Sequence, residues 1–373
     1  MKILFLFTYG VSLRDWEESG LASREIQSFK KMNEKYGTEY IFLTFGDSND
    51  LNYAEKYPFL KIVPIFNFIN RKKGKTINFL ATLIGIKKII NKANITFDLI
   101  KTNQLYGSWL ALTIKVFFRK PLIIRTGYDL LTFSYKDKKN MVKIFFYYLL
   151  TLVSLFFCNL YTVTSNTDQN LLIKLFPFAK NKIILRRNWV STSSIVNNFE
   201  SRYNKKFISV GRLEKQKNFE YMIKRLDGSE YCLDIYGEGS LRKTLEKLKN
   251  DNINFYGSIQ NSELLEKYQN YKLFITSTLY EGNPKAIIEA MGSGCVVIAP
   301  NIESIKEIIA HQETGVLYSP ENDNLEKIIH SQLHNSEKMK EISENAKNYV
   351  IKNHSLEKYI IEENKEFNKL FKN

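Results

Sequence analysis

The sequence predicts an α/β protein with two parallel sheets, each covered by helices, and three observations carry that prediction. Short β-branched and aromatic runs alternate with helical stretches along the whole chain. The alternation breaks at a polar stretch over 191–204 and restarts at Phe207. The 373 residues suffice for two ordinary domains, each with its own core.

In chain order, strands are expected near 2–8, 39–45, 97–102, 121–126, 159–165 and 182–186, with helices between them. The first run, Met1 to Gly10, carries one positive charge and is too short for a secretory core. It ends in a glycine turn and reads as a buried first strand, with no leader implied. Residues 68–75, Phe-Ile-Asn-Arg-Lys-Lys-Gly-Lys, form a basic loop beside aromatics, either solvated or in contact with a membrane. The basic run 136–143 precedes 144–157, fourteen nearly all-apolar residues. A bilayer span needs about 20 residues, so this is a buried domain helix or an interfacial element. From 338 to 371 the pattern is helical, interrupted at His354-Ser355.

The densest chemistry lies at Glu281-Gly-Asn-Pro-Lys-Ala-Ile-Ile-Glu289-Ala-Met-Gly-Ser-Gly294. Asn283 can cap a helix here, Pro284 suits its first position, and Gly292 and Gly294 can stop it. The start of such a helix offers backbone donors and the positive end of its macrodipole to a phosphate. Glu281 precedes the helix and Glu289 lies inside it, so the two carboxylates can reach hydroxyls on opposite sides of a diphosphate. That is the polarity of a nucleotide-sugar. Two such glutamates also occur on a solvated helix face, so context decides. Upstream, the run Phe207-Ile-Ser-Val-Gly211 is followed by Arg212 and Lys217, before a helix that Asn218 can cap. A loop at the carboxyl edge of a parallel sheet is where open α/β folds bind ligands. Arg212 as a planar fork and Lys217 as a point charge suit two phosphates; plain surface basicity is the alternative.

Gly211-Arg212 to Lys217, and Glu281-Gly282 to Glu289, resemble the retaining GT-B glycosyltransferases of family 4. Leu233 to Gly239, Ile253 to Ile259, Ile298 to Pro300 and Glu313 to Leu317 resemble further strands and loops of that family. The similarity is specific over roughly 205–320 and looser over the first 190 residues. It implies two Rossmann-like domains with parallel sheets facing a central cleft. Residues 1–190 would bind acceptor, 191–204 link, 205–350 bind the nucleotide-sugar, and 351–373 return as a helix to the first domain. The implied donor set is Gly211, Arg212, Lys217, Gly237, Ile259, Glu281, Gly282, Asn283, Lys285, Ala286 and Glu289. Arg212 and Lys217 would stabilise the leaving diphosphate and Glu281 would orient the sugar, with no metal or cofactor. Asn188-Trp-Val190 resembles the family's turn before the linker, with Trp189 in place of glycine. Many relatives use a histidine in the first domain, whereas all four histidines here lie from His311 onward. Arg125, Tyr128 and Asp129, after an expected strand, are candidates for the acceptor, as are Gly10 and Arg14. For Arg125 and Asp129 an ion pair and a helix cap are the alternative.

Composition excludes other classes. With 44% hydrophobic and 25% charged residues the chain is globular. Its three cysteines match neither a disulfide framework nor a metal site, which suits a reducing cytoplasm. Residues 1–190 hold 29 Lys and Arg against 13 Asp and Glu, so the first half carries the whole basic excess of a chain with net charge +15. Such a half is drawn to anionic lipid, a lipid-linked diphosphate or nucleic acid. The expectation is a peripheral enzyme of the inner membrane face, moving sugar from a nucleotide-diphosphate donor, UDP first among the bases, to a lipid-linked or surface-polysaccharide acceptor. A soluble acceptor or a sugar-nucleotide epimerase is the alternative. Nucleic-acid binding, which leaves Glu281 and Glu289 unexplained, is not expected.

Overall fold

The computed structural model describes residues 1–127, 129–136, 140–191, 198–248 and 250–371. The chain forms two compact units, Met1–Arg187 with Ile360–Asn373, and Asn188–Tyr359.

The first unit is built on seven strands: β1 (Lys2–Leu6), β2 (Glu39–Thr44), β3 (Leu60–Pro64), β4 (Leu99–Thr102), β5 (Leu122–Arg125), β6 (Leu160–Val163) and β7 (Ile183–Leu185). They lie in the order β3-β2-β1-β4-β5-β6-β7, and every pairing is parallel. Ile3 faces Tyr40 on one side and Leu99 on the other. Central parallel strands are covered on both faces, which is why Lys-Ile-Leu-Phe-Leu is an unbroken apolar run instead of an alternating one. Phe5, Phe7, Trp16, Phe29 and Phe42 fill one side of the sheet with tilted and edge-on ring contacts.

Strand β3 lies outside the expected set. Its run Leu-Lys-Ile-Val-Pro ends on a proline, and it sits at the sheet edge, where a missing N–H is tolerated.

The apolar stretch expected at 144–157 is the helix Met141–Phe157, whose start is capped by Asn140, its Oδ1 accepting the Val142 N–H at 2.9 Å. Leu150, Thr151, Ser154 and Leu155 are buried. Met141, Val142, Phe145, Phe146 and Leu149 are exposed, so the helix is bedded along one side and carries an open apolar side. Among the described residues no helix is long and apolar enough to cross a membrane.

The chain's last two helices, Ser336–His354 and Leu356–Lys369, are separated at Ser355. From Ile360 on, the chain belongs to the first unit. Glu363 pairs with Lys101, and Glu362 and Glu366 both pair with Arg186, while Phe367 is fully buried.

The second unit holds β8 (Lys206–Val210), β9 (Cys232–Tyr236), β10 (Ile253–Gly257), β11 (Leu273–Ile275), β12 (Val296–Pro300) and β13 (Val316–Tyr318). Their order is β10-β9-β8-β11-β12-β13, again all parallel. Strand β11 also lies outside the expected set: it has three residues, too few for a periodic signal, yet it is central and fully buried. The strand order reverses between β8 and β11, so the loops leaving these two strands diverge around a crevice at the carboxyl edge of the sheet.

All three cysteines are unpaired. Burial pushes the thiols of Cys158 and Cys295 up to about 12, whereas Cys232 is partly exposed. In native protein at pH 8, a disulfide reagent is expected to modify Cys232 and spare the other two. Fast modification of Cys158 or Cys295 without denaturant contradicts this burial.

Candidate functional site

The crevice at the β8/β11 reversal is held together by the loops themselves. After β8, Lys215–Lys217 makes one short turn. Its Gln216 carbonyl accepts from Leu279 N at 2.9 Å and from Thr278 Oγ1 at 3.2 Å, and its side-chain amide donates to Tyr280 O at 2.8 Å. Ser277 Oγ donates to Asn218 O at 2.7 Å. These bonds bring the two loops into register and seat Lys217 Nζ against Glu281 Oε1. Both partners are largely buried, with side-chain exposures of 17% and 9%. An ion pair in that setting is held by its geometry and is costly to break from one side.

Asn218 does not cap the following helix, Phe219–Leu226, with its side chain. It takes a left-handed conformation, and its carbonyl accepts from both Ser277 Oγ and Tyr221 N. Arg212 is exposed and makes no side-chain ion pair or hydrogen bond among the described residues.

Gly211 lets the lysine stem cross close by: a Cβ there would lie 3.3 Å from Lys217 Cε. Gly237, at φ +143°, is required more strictly, since a Cβ would lie 1.9 Å from the Gly211 carbonyl oxygen. The backbones of the β8 and β9 loops therefore touch, and Gly237 N–H goes on to Gly257 O at 2.7 Å.

The predicted helix is Lys285–Gly292. Its N-cap position is Pro284, and no side chain caps it, which corrects the expected role of Asn283. Asn283 instead accepts the Asn188 N–H at 2.9 Å, and its carbonyl accepts Asn188 Nδ2 at 2.8 Å. The first helical bond runs from Ile288 N to Pro284 O, so the N–H groups of Lys285, Ala286 and Ile287 precede it and form the donor end of the helix. Gly282 is buried in the loop before the helix, and Ser293 and then left-handed Gly294 end it.

Glu289 is buried and accepts from Asn261 Nδ2 at 3.1 Å. Lys285 Nζ lies 5.7 Å from the centre of the buried Trp189 ring, the residue that replaces the glycine of the linker turn. Ala286 O accepts from Tyr268 OH at 3.5 Å, and Ile259 packs, half-buried, against the core beneath.

The structure thus brings Gly211, Lys217, Gly237, Glu281 and Glu289 into one unit on loops and a helix at the sheet edge. Sequence reasoning missed Gln216 and Asn261, and read Asn188 only as part of the turn before the linker. Their signal is polar side chains with long-range partners, which no periodicity reveals.

In the first unit, Arg125 Nη1 lies 3.3 Å from both Glu25 Oε2 and Asn103 Oδ1 and is nearly buried. Asp129 Oδ1 accepts the Thr132 N–H and hydroxyl, both at 2.8 Å, at the start of the helix Leu130–Lys136. Burial pushes its carboxyl up, and the Thr132 bonds work against that. The cap and the ion pair are therefore the observed arrangement of these two residues. Tyr128 lies outside the described residues. Arg14 Nε is paired with Glu18 at 2.6 Å, one turn on, with both side chains exposed. Gly10, in a left-handed turn at φ +78°, lines a cavity of about 500 Å³ with Tyr9, Arg71, Lys75 and Trp109.

Residues 194–349 match the family described as glycosyl transferases group 1. A 41.2 kDa protein of the cps region of Klebsiella pneumoniae is 33% identical over 118 residues, 31% of this chain and 33% of that protein. The capsular polysaccharide biosynthesis glycosyltransferase CapH of Staphylococcus aureus is 28% identical over 238 residues, 59% of this chain and 64% of CapH. The chain spans about a third of the length of the first curated relatives it matches. Among solved structures, Anabaena HepE in complex with UDP-glucose is similar with a TM-score of 0.73 at 16% identity, covering 99% of this chain and 100% of HepE. Sucrose-phosphate synthase of Thermosynechococcus elongatus is similar with a TM-score of 0.78 at 15% identity, covering 100% and 99%. At those identities the likeness shows the fold, two Rossmann-like domains of the GT-B class.

Proposed function

We propose that this chain, whose residues 194–349 match the family described as glycosyl transferases group 1, transfers a sugar from a nucleotide-diphosphate donor with retention of configuration. The observation that carries the proposal is Lys217 held against buried Glu281 directly before the uncapped helix start at Lys285, with Glu289 in the same helix. A diphosphate on that helix start meets backbone donors, the Lys217 ammonium and the exposed Arg212 guanidinium. As the nucleoside diphosphate departs, the negative charge building on it is stabilised by these fixed donors, which act electrostatically and need no metal. Lys217, on reaching the phosphate, leaves the Glu281 carboxylate to accept from the sugar hydroxyls. Glu289 takes the ribose hydroxyls on the far side. A front-face path, with the departing phosphate oxygen receiving the acceptor proton, fits a site with no second nucleophile assigned.

UDP is the proposed base class; HepE, with the same fold, binds UDP-glucose. The acceptor is proposed to be a lipid-linked or surface-polysaccharide glycan at the cytoplasmic membrane face. The naming of CapH for capsular polysaccharide supports this, as does the basic excess of residues 1–190. The test is transfer of labelled sugar from UDP-, GDP- and ADP-sugars to detergent-solubilised membrane lipid and, in parallel, to water-soluble glycans. Transfer into the lipid fraction from one UDP-sugar is expected. Transfer only to soluble glycans overturns the lipid acceptor, and no transfer to either overturns the activity.

A further inference from the structure

We propose that the cavity beside Tyr9 in the first unit binds an amphiphile that carries a phosphate or diphosphate at one end of an apolar body. The inference deepens the proposed function, resting on it for the ligand's role as acceptor but not for its binding.

The cavity measures about 500 Å³, within the range of small-molecule sites. Seven of its twelve lining residues are aromatic, and the same rings continue into a narrow recess reaching Leu83 and Leu110. Among the described residues no carboxylate lines it, and the charged residues that do are Arg71 and Lys75. An apolar interior with two cations and no anion selects a ligand with an apolar body and an anionic end. A free sugar or free nucleotide would bury hydroxyls against rings without partners, which is unfavourable.

The basic side of the cavity is a built feature. Asn78 is buried and clamps the loop in both directions, its Oδ1 accepting Lys72 N–H and its Nδ2 donating to Lys72 O, each at 2.8 Å. Tyr9 OH donates to the Lys75 carbonyl, tying the start of the helix Lys75–Lys92 to the turn after β1. Arg71 lies 5.1 Å from the centre of the Phe66 ring, which holds its guanidinium over the aromatic wall. Phe146 and Trp109, both lining the cavity, meet with ring centres 5.7 Å apart. Phe146 belongs to the helix Met141–Phe157, whose exposed apolar side includes Met141, Val142 and Phe145. The cavity therefore opens beside an apolar surface that a chain can follow inward from a membrane.

Trp109 lines the cavity and is one of three tryptophans, so its fluorescence reports occupancy, and Trp109→Phe identifies its share of the signal. The full chain is titrated with farnesyl diphosphate, farnesol, inorganic diphosphate and dihexanoyl phosphatidylglycerol, and in parallel with UDP. Farnesyl diphosphate or the phospholipid is expected to saturate the Trp109 signal at least about tenfold more tightly than farnesol or diphosphate alone, because only the joined ligand uses both halves of the site. The tighter of the two identifies prenyl-linked or membrane phosphate as the source. R71A/K75A is expected to weaken binding by about tenfold or more, and Thr76→Trp, at the exposed rim, to block it. Binding unmoved by both variants overturns the inference. Absence of binding by both amphiphiles with UDP binding retained overturns the inference and leaves the transferase reading standing. Loss of UDP binding as well overturns both.

Discussion

Lys217→Ala is expected to lower kcat/KM for nucleotide-sugar by about 10- to 1000-fold, the scale of one lost transition-state contact. The residue is fixed in place by the loops around it: Gln216 is stitched to residues 278–280, Ser277 to Asn218, and Gly211 leaves room for the lysine stem. Truncation also strands the Glu281 carboxylate in a buried place, so part of any loss could come from a disturbed loop. Lys217→Met with Glu281→Gln removes both charges while keeping shape, so a melting temperature recovered relative to Lys217→Ala measures the stability cost of the stranded carboxylate. The catalytic share is read from Lys217→Arg, which keeps a cation against Glu281: if electrostatic stabilisation of the leaving group is the cause, it retains more turnover than Lys217→Ala. Unchanged turnover at saturating donor together with unchanged donor affinity for Lys217→Ala contradicts the assignment.

Glu363→Ala is expected to destabilise the first unit by about 3–5 kcal/mol, the cost of leaving a buried charge without its partner. Lys101 and Glu363 are only 5% and 6% exposed, and the lysine ammonium also lies 5.5 Å from the Phe367 ring centre. Burial lowers the Lys101 pKa while Glu363 works to raise it, so removing the carboxylate leaves burial unopposed by its main partner. For a unit of this size the melting temperature should fall by roughly 6–20 °C. Replacing both partners, Lys101→Met with Glu363→Leu, should recover most of the loss, since an apolar pair of similar volume removes the desolvation penalty. A melting temperature within about 1 °C of the parent for Glu363→Ala would show that the pair contributes little.

Much of the fold is legible in the sequence because parallel strands buried on both faces are continuous apolar runs. Lys2–Leu6, Glu39–Thr44 and Lys206–Val210 carry that signal plainly. Leu60–Pro64 hides behind its proline, and Leu273–Ile275 is too short to show a period although it lies at the centre of its sheet. At the site, the glycines and charges of 211–217 and 281–289 are visible as spacing. Their wiring is not, since helix capping is decided by tertiary partners. Asn283 has the chemistry of a cap, yet it is claimed by Asn188, 95 positions away in sequence. Asp129 and Arg125 show the converse: both have the chemistry of ligand contacts, and the structure uses them for a helix start and a buried ion pair. The aromatic cavity draws on Tyr9, Phe45, Phe66, Tyr106 and Trp109 from separate segments, so only its basic loop at 68–75 is visible as a local pattern.

The most direct test of the central claim, a nucleotide-diphosphate site on the loops and helix at the β8/β11 reversal, is calorimetric titration of UDP, GDP and ADP into the purified chain and into Glu289→Ala. The account predicts saturable binding of UDP in preference to the other two, weakened in the variant by about tenfold, the worth of a lost charge-assisted contact to the ribose. Absence of binding by all three diphosphates to protein that melts cooperatively, or UDP binding that Glu289→Ala leaves untouched, would contradict it.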